Sequence, residues 1–437
     1  MDPIIDVELN KTRHVPLLQD PTCTRYKPSL LNDLCKFRIS LRWCALDHSS
    51  WPTKTVSYFI FLLLTVLVPL LCALFTHVPP ATASSIAFDN LAQLPESALA
   101  AIAFFTLSCF FHRYSLRQLL FLDGLHDDSP FVRCGYAREL DRAFRYITYI
   151  LLPSFAVELA HKILFFSMVS VSVPHVTVHV PWNSIMFVAA LVSWVYRTGV
   201  FLLVCVLFRV TCELQILRIE GFRKMLEGSG SGSEPDPSVI FEEHMRIKKQ
   251  LWATSHRYRI FIIGCFVIIT VSQFGALLLV LASKSEKNFI NSGDLVVCSA
   301  VQLSGFLMCL MGATRITHRA QGVVALATRW HLNMTCASRS DGAHQVKLQH
   351  PTVPAANKDA GNCAIDDLES AGIPVPCPTQ DLTSPFERRQ ALVMYLQHNN
   401  GGITLFGFAL DRGLLHTLFA FEFSLVLWIL SKVVVLS

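Results

Sequence analysis

Long apolar stretches alternate with polar segments along the whole chain. Each apolar stretch is long enough to cross a bilayer as an α-helix. The pattern therefore predicts an all-α, polytopic membrane protein with seven transmembrane helices. The predicted spans are Val56–Val78, Ser97–Leu120, Tyr146–Val173, Trp182–Arg209, Ile260–Ala282, Leu295–Thr317 and Leu405–Val435.

The basic residues are distributed unevenly between these spans. Lys and Arg are frequent before the first span, whereas the segment Pro79–Glu96 has none. The segment Val173–Pro181 also has none, while Arg209–Arg259 and Arg315–Arg389 are strongly basic. Cytoplasmic loops of membrane proteins carry the excess of Lys and Arg. We therefore expect a cytosolic N-terminus and an outside C-terminus, which is the opposite of the orientation of a G-protein-coupled receptor.

The composition supports the membrane assignment. Hydrophobic residues make up 52% of the chain and charged residues only 16%, which is unusual for a soluble domain. The net charge of +5 is concentrated on the predicted cytosolic face, so it indicates contact with anionic lipid and not with nucleic acid. The lipid bilayer is thus the expected partner, and the plasma membrane is favoured over internal membranes. No cysteine falls in an outside loop, so we expect reduced thiols.

The polar segments divide the chain into four parts. Residues 1–55 form a cytosolic N-terminal arm, and residues 56–332 hold the first six spans with helical extensions on the cytosolic side. Within these cytosolic extensions, residues 227–240 are rich in Gly and Ser and are predicted to form a flexible linker. Residues 333–384 have no periodicity and predict a disordered loop, and residues 385–437 hold a cytosolic helix and the seventh span. The helices expected below the membrane are Phe241–Tyr258, Ala320–Trp330 and Pro385–Gln397.

Sequence motifs of enzymes are missing. The chain has no nucleophile elbow, phosphate-binding loop or kinase motif. Its H-x-x-x-H pair, His175 and His179, lies in a predicted outside loop, where two histidines make an incomplete metal site. We interpret them as solvated loop residues. The sequence therefore predicts no enzymatic activity, no metal site and no cofactor.

Several charged residues lie inside the predicted spans, where charge is costly and marks the bundle interior, a partner or water. Glu158 of the third span and Arg197 of the fourth are at similar depth, because consecutive spans are antiparallel. We expect a structural ion pair between them, with a ligand or ion site as the alternative. Glu158 can also neutralise Lys162, which follows it by one helical turn.

The last span carries two stripes of residues on opposite sides of a helix. One contains Glu422, Ile429 and Val433, and the other is small and weakly polar and contains Ser424 and Ser431. A stripe that lines an aqueous path and a stripe that packs closely against other helices are both consistent with this pattern. These five residues are the pore candidates.

Several phrases of the chain resemble a known family. At the level of residues the chain is similar to the plant gustatory-receptor-like proteins, a family with a domain of unknown function. Its architecture more distantly resembles the insect odorant and gustatory receptors. The phrases that carry the resemblance are LLFLDGL (119–125), WVYRTGVFLLVCVLF (194–208), SHRYRIF (255–261), RITHRAQ (315–321) and the segment 402–432.

The resemblance implies a fold and a function. Insect receptors of this kind are tetrameric ligand-gated cation channels, with a cytosolic anchor of helices and a pore surrounded by the last helices. It implies a homotetrameric, ligand-gated, non-selective cation channel that opens for an unknown small-molecule ligand. Residues that could line its pocket in the outer half of the bundle, with core packing as the alternative, are Phe165, Trp194, Gln273, Phe274 and Gln302.

Two other functions are consistent with the sequence. The first is a non-conducting membrane scaffold or signalling protein that acts through its cytosolic loops. The second, less favoured, is a small-molecule carrier. Charges near the middle of the membrane suit transport, but the sequence contains no internal repeat of the kind that many carriers have.

Overall fold

The chain forms a bundle of long helices. The computed structural model describes residues 51–77, 83–113, 125, 128–168, 170–171, 182–227, 236–282, 289–345, 384–399, 401–418, 420–421 and 424. The helices in these ranges are α1 (Trp51–Leu62), α2 (Val68–Phe75), α3 (Ala83–Arg113), α4 (Pro130–Met168), α5 (Trp182–Glu227), α6 (Pro237–Ala282), α7 (Phe289–Gln345) and α8 (Pro385–His398). A π-helical turn, Leu63–Leu67, joins α1 to α2.

Two short hairpins complete the described elements. Strands β1 (Thr76–His77) and β2 (Ser170–Val171) pair antiparallel beyond the ends of α2 and α4. Strands β3 (Thr404–Leu405) and β4 (Phe408–Ala409) form the second hairpin, after α8.

Within the described ranges, six helical segments are long and apolar enough to cross a membrane: α1 with α2, then α3, α4, α5, α6 and α7. They coincide with the first six predicted spans, which confirms those spans as helices. Most of the seventh predicted span lies outside the described residues.

Three helices are much longer than a bilayer requires. Helices α5 and α6 have 46 residues each and α7 has 57, so they extend about 70–85 Å against a hydrocarbon core of about 30 Å. Helix α7 lies beside α5, and Arg315 and Arg319 of α7 form ion pairs with Glu213 and Glu220 of α5. The predicted extensions at Phe241–Tyr258 and Ala320–Trp330 are therefore continuous with α6 and α7.

Helix α8 packs against α7 and α6 at the extended end of the bundle. The Ser384 hydroxyl accepts from the Glu387 amide, and the Glu387 carboxylate accepts from the Ser384 amide. This capping box, with Pro385 in the first turn, fixes where the helix begins. The short helix predicted at Pro385–Gln397 is confirmed.

Several predicted boundaries need correction. Helix α7 continues to Gln345, so its end occupies the first part of the loop predicted to be disordered at 333–384. Helix α6 begins at Pro237, inside the predicted linker 227–240. At the last span, β3 and β4 replace the start of the predicted helix.

The second hairpin turns at Phe406 and Gly407, which have φ values of 50° and 93°. Positive φ at both central positions gives the tight turn that suits the twist of paired strands. The next helical residues begin at Arg412, and the Asp411 carboxylate accepts from the Leu414 amide at 2.7 Å. Asp411 therefore caps a helix start and is not a charge within a helical span.

Helix α5 is the centre of the core. It packs against α3, α4, α6 and α7, and nearly all of its residues from Val200 to Cys212 are buried. Close packing with α7 depends on a small residue, since a Cβ added at Gly305 would lie 2.7 Å from the Phe201 ring. Among the cysteines, Cys134 of α4 is disulfide-bonded, which departs from the expectation of reduced thiols.

Candidate functional site

A polar network joins four of the membrane-spanning helices. It begins at the π-helical turn of the first span, which disrupts the regular backbone ladder and leaves carbonyl groups for other partners. The Ser193 hydroxyl of α5 donates to the Leu64 carbonyl at 2.5 Å. The Ser97 hydroxyl of α3 donates to the Thr65 carbonyl at 3.1 Å. The irregular turn is thus held by hydroxyls of two neighbouring helices.

An ion pair between α3 and α5 forms the middle of this network. Arg197 Nη2 lies 3.1 Å from Glu96 Oε2, and the two side chains are only 4% and 7% exposed. Arg197 Nη1 donates to the Gln93 carbonyl and to the Ser97 hydroxyl, each at 3.1 Å. A buried ion pair persists only when further hydrogen bonds satisfy its charged groups, and these contacts provide them.

Helix α7 contributes the third side of the network. The Cys298 thiol donates to Glu96 Oε1 at 2.5 Å, so both oxygens of this carboxylate have partners. Gln302, one turn further along α7, is 4% exposed. The network therefore connects the first span, α3, α5 and α7 through side chains that the bundle shields from lipid.

A small cavity lies against the ion pair. It has a volume of about 10 Å³, which is close to the least that holds one water molecule. Within the described residues, Arg197 Nε and Gln302 Oε1 are buried without a hydrogen-bond partner. The cavity is lined by Glu96, Leu99, Arg197, Thr198, Phe201, Cys298, Val301 and Gln302.

The ion pair predicted between Glu158 and Arg197 is wrong. Arg197 pairs with Glu96 of α3, while Glu158 Oε1 lies 3.6 Å from Lys162 Nζ in the same helix. Equal depth in antiparallel helices is not sufficient for a contact, because the side chains must also face each other around the helix axes. The sequence pattern does not indicate Glu96 as the partner of Arg197, because it places Glu96 in an outside loop. In the structure Glu96 lies within α3, which begins at Ala83.

The predicted pocket residues separate into two groups. Gln302 lines the cavity, and Trp194 is fully buried on α5, one turn before Arg197 and Thr198. Phe165 packs on α4 beside His161 and Lys162. Gln273 and Phe274 are half-buried on α6, and neither they nor Phe165 line this cavity.

Most pore candidates lie outside the described residues. This applies to Glu422, Ile429, Ser431 and Val433. Ser424 is described and exposed, and its hydroxyl donates to the Phe421 carbonyl at 2.8 Å.

A second buried network lies near the extended end of the bundle. Asp128 precedes α4, and its carboxylate accepts from Arg218 of α5 at 2.7 and 2.8 Å. Arg246 of α6 donates to the other carboxylate oxygen at 2.6 Å, and Gln250 accepts from Arg218 at 2.5 Å. Asp128 and Arg218 are both 1% exposed. This network ties α5 and α6 to the segment before α4, and no motif in the sequence indicated it.

The described residues hold no cluster of three His, Cys, Asp or Glu side chains that could bind a metal ion. The contacts in both networks are those of charge neutralisation and hydrogen bonding. They can orient helices and can present polar atoms to a small molecule.

Comparison with solved structures identifies the fold. The chain is similar to the insect olfactory receptor OR5 from Machilis hrabei in complex with eugenol, with a TM-score of 0.56 and 11% identity over 94% of this chain and 99% of that chain. A second structure of that receptor gives a TM-score of 0.50 and 11% identity, over 88% and 90% of the two chains. At this identity the likeness shows the fold, and it confirms the expected resemblance to the insect receptor architecture.

Comparison with protein families gives a direct assignment. No curated protein matches the chain. The profile of a family described as protein of unknown function, DUF3537, matches residues 32–421. With its six apolar helices and the olfactory-receptor fold, the chain is an integral, multi-pass membrane protein. It belongs to the DUF3537 family.

Proposed function

We propose that this chain is a chemoreceptor-like, ligand-gated, non-selective cation channel that assembles as a homotetramer in the plasma membrane. The observation that carries the proposal is the fold. It is similar, over 94% of this chain, to that of a receptor whose structure was solved in complex with a small molecule, eugenol. The proposal includes a seventh span, a cytosolic N-terminus and an outside C-terminus. It involves no catalysed reaction and no cofactor.

The polar network offers a place where a ligand could act. A small molecule that enters between α3, α5 and α7 meets the Glu96–Arg197 pair and Gln302. Because Ser97 and Ser193 connect this region to the π-helical turn, a rearrangement there also affects the first span. Such a junction of helices has discrete packing arrangements, which a ligand can favour selectively.

Helix α7 connects this site to the last helix. Gln302 and Thr317 lie on one continuous helix, about 22 Å apart along its axis. Thr317 accepts from the Ile403 amide at 3.4 Å, and a Cβ at Gly402 would meet its methyl group at 3.1 Å. A displacement of α7 is therefore transmitted to the hairpin that precedes the last helix.

In a tetramer, one residue of the last helix becomes a ring of four. A ring of carboxylates favours cations, so we assign Glu422 as the residue that faces the ions. Ile429 and Val433 lie on the same stripe and form the hydrophobic gate. In the alternative orientation Ser424 and Ser431 face the axis, and Glu422 is a buried partner of another helix.

Replacement of Glu422 tests this assignment. Glu422→Gln is expected to reduce cation conductance without loss of the tetramer, because it removes four negative charges from the path of the ions. Glu242→Gln is the control, since Glu242 is exposed on α6. A Glu422→Gln protein that fails to fold, or that conducts normally, contradicts the assignment. Cysteine substitution at Ile429 and at Ser431, with outside thiol reagents, identifies the stripe that faces water.

One observation favours a non-conducting scaffold as the second candidate. The cavity accommodates about one water molecule, and the ion pair beside it is fully hydrogen-bonded on the carboxylate side. A scaffold needs only this rigid network, whereas a receptor must open it. A tetramer without current under any ligand would favour the scaffold.

A further inference from the structure

Two arginines share one carboxylate where the bundle leaves the predicted membrane region. Arg209 Nη2 of α5 and Arg315 Nη1 of α7 lie 3.2 and 2.7 Å from the same oxygen, Glu213 Oε1. Two positive charges against one negative charge leave this set with an excess of one positive charge. The ion pairs described on the neighbouring turns match one acid with one arginine each: Glu139 with Arg142, Asp141 with Arg145 and Glu220 with Arg319.

The set lies at the level of the lipid headgroups. Arg209 ends the fourth predicted span, Arg315 stands two residues before the end of the sixth, and Tyr146 begins the third. One turn further into the membrane, Met311 of α7 and Tyr149 of α4 are largely exposed on the surface of the bundle. Apolar and aromatic side chains exposed at this depth face lipid, and a cation at the end of a span reaches the headgroups.

Three helices hold the two guanidinium groups in different surroundings. Helices α4, α5 and α7 pack against one another, and the Arg209 guanidinium lies 4.8 Å from the centre of the Tyr146 ring of α4. The Arg209 side chain is 15% exposed, whereas that of Arg315 is 49% exposed. Within the described residues, Arg315 makes no hydrogen bond except the one from Nη1 to Glu213. Because a guanidinium has five N–H donors, Arg315 has donors left for a ligand at the surface.

These properties select an anion, and the surroundings select its source. One negative charge would neutralise the set, and the planar donors of arginine match the oxygens of a phosphate. At this depth the bilayer itself supplies phosphates, and the exposed Met311 and Tyr149 offer apolar surface to the acyl chains. Basic pockets between membrane helices bind lipid headgroups in this way.

We propose that Arg209 and Arg315 bind the phosphate of an anionic phospholipid, in the leaflet at the extended end of the bundle. Glu213 holds the two arginines side by side and limits their excess charge to one. Phosphatidylcholine is a poor ligand, because its own ammonium group cancels the charge of its phosphate. The inference concerns the contact with the bilayer and does not depend on whether the chain conducts ions.

The experiment compares two lipids that differ in the headgroup alone. The full chain is purified in a neutral maltoside detergent, and binding of dioleoyl phosphatidylglycerol and dioleoyl phosphatidylcholine is measured by native mass spectrometry. We expect phosphatidylglycerol to fill a saturable site on each chain about tenfold or more tightly than phosphatidylcholine, which is the effect of one charge-assisted hydrogen bond. Inorganic phosphate at equal concentration should not displace it, since it lacks acyl chains.

A pair of variants connects the preference to these arginines. Arg315→Gln leaves Glu213 paired with Arg209, so the protein should fold, and the preference for phosphatidylglycerol should fall to about twofold or less. Arg223→Gln is the matched control, because it removes the same charge from another exposed ion pair, with Glu227. Arg223 lies about 21 Å from Arg209 along α5, beyond the range of electrostatic screening, so its variant should keep the preference of the unchanged protein.

Replacement of the shared acid tests the same site in the opposite direction. Glu213→Gln raises the excess charge from one to two, so phosphatidylglycerol should bind about fivefold more tightly, the effect of one added charge at a membrane surface. If the three residues served only to hold the helices together, Glu213→Gln would weaken lipid binding along with the fold.

Five results would overturn the inference. They are equal binding of the two lipids, a preference that survives Arg315→Gln, an equal loss of preference in Arg223→Gln, weaker phosphatidylglycerol binding in Glu213→Gln, and displacement of the lipid by inorganic phosphate. The last result would assign the site to a free anion instead of a lipid.

Discussion

Neutralising either member of the Glu96–Arg197 pair should destabilise the protein, and by different amounts. Glu96→Gln leaves the Arg197 guanidinium buried but still bonded to the Gln93 carbonyl and the Ser97 hydroxyl. Arg197→Gln removes these bonds as well and leaves a buried carboxylate with the Cys298 thiol. Loss of one partner of a buried pair costs about 3–5 kcal/mol, so we expect Glu96→Gln near the lower figure and Arg197→Gln near the upper.

The double variant identifies the pairing itself. If Glu96 and Arg197 are partners, Glu96→Gln with Arg197→Gln should be less destabilised than the sum of the single changes, by about 2 kcal/mol. The control cycle uses Glu158→Gln with Arg197→Gln, whose effects should add within about 0.5 kcal/mol. Glu158 is a demanding control because its carboxylate is also fully buried and pairs with Lys162.

The assay is equilibrium unfolding in mixed detergent micelles, followed by circular dichroism. Refolding must be demonstrated for each variant, since free energies of unfolding are defined only for reversible transitions. Coupling of Arg197 to Glu158, with additive effects for Glu96, would refute the pairing. Additive effects in both cycles would show that neither carboxylate neutralises Arg197.

Four further predictions concern other parts of the molecule. Asp128→Asn should cost about 3–5 kcal/mol, because it leaves the buried Arg218 without a carboxylate and leaves Arg246 with Glu243 alone. Asp141→Asn breaks an exposed pair and should cost less than about 1 kcal/mol, and the same unfolding assay distinguishes the two variants. Gly407→Ala should accelerate hydrogen exchange of the 404–409 amides, because φ at Gly407 is 93°. Gly322→Ala, at a helical site with open space around it, should stabilise α7 by about 0.5–1 kcal/mol. A tag at Ser437 should be accessible from outside the cell, and a tag accessible only after permeabilisation would reverse the orientation.

The hydropathy pattern predicts the six described spans because the insertion of a helix into lipid depends mainly on how apolar its own residues are. The continuation of α6 and α7 beyond the membrane can also be predicted from neighbouring residues, since the helical pattern of the sequence is not interrupted there. The short helix α8 is predicted for the same reason, and its capping residues Ser384 and Glu387 stand in the sequence at the required spacing.

The polar network could not be predicted in this way. Its ion pair depends on how α3 and α5 are rotated against each other, and Glu96 follows Pro95 in a segment whose polar residues resemble a loop. The π-helical turn at Leu63–Leu67 consists of ordinary apolar residues, so nothing in the sequence marks it. The sequence predicts helix at 404–409 because Leu405, Phe406 and Phe408 are as apolar as the span that follows.

The central claim, a ligand-gated cation channel of four identical chains, is tested most directly by reconstitution. The purified full chain is inserted into planar bilayers, and the mass of the assembly is measured on the same sample. The proposal predicts a tetramer that carries a cation current, and this current reverses near zero between equal Na⁺ and K⁺ solutions. A tetramer that stays electrically silent, or a chain that does not assemble, would contradict it.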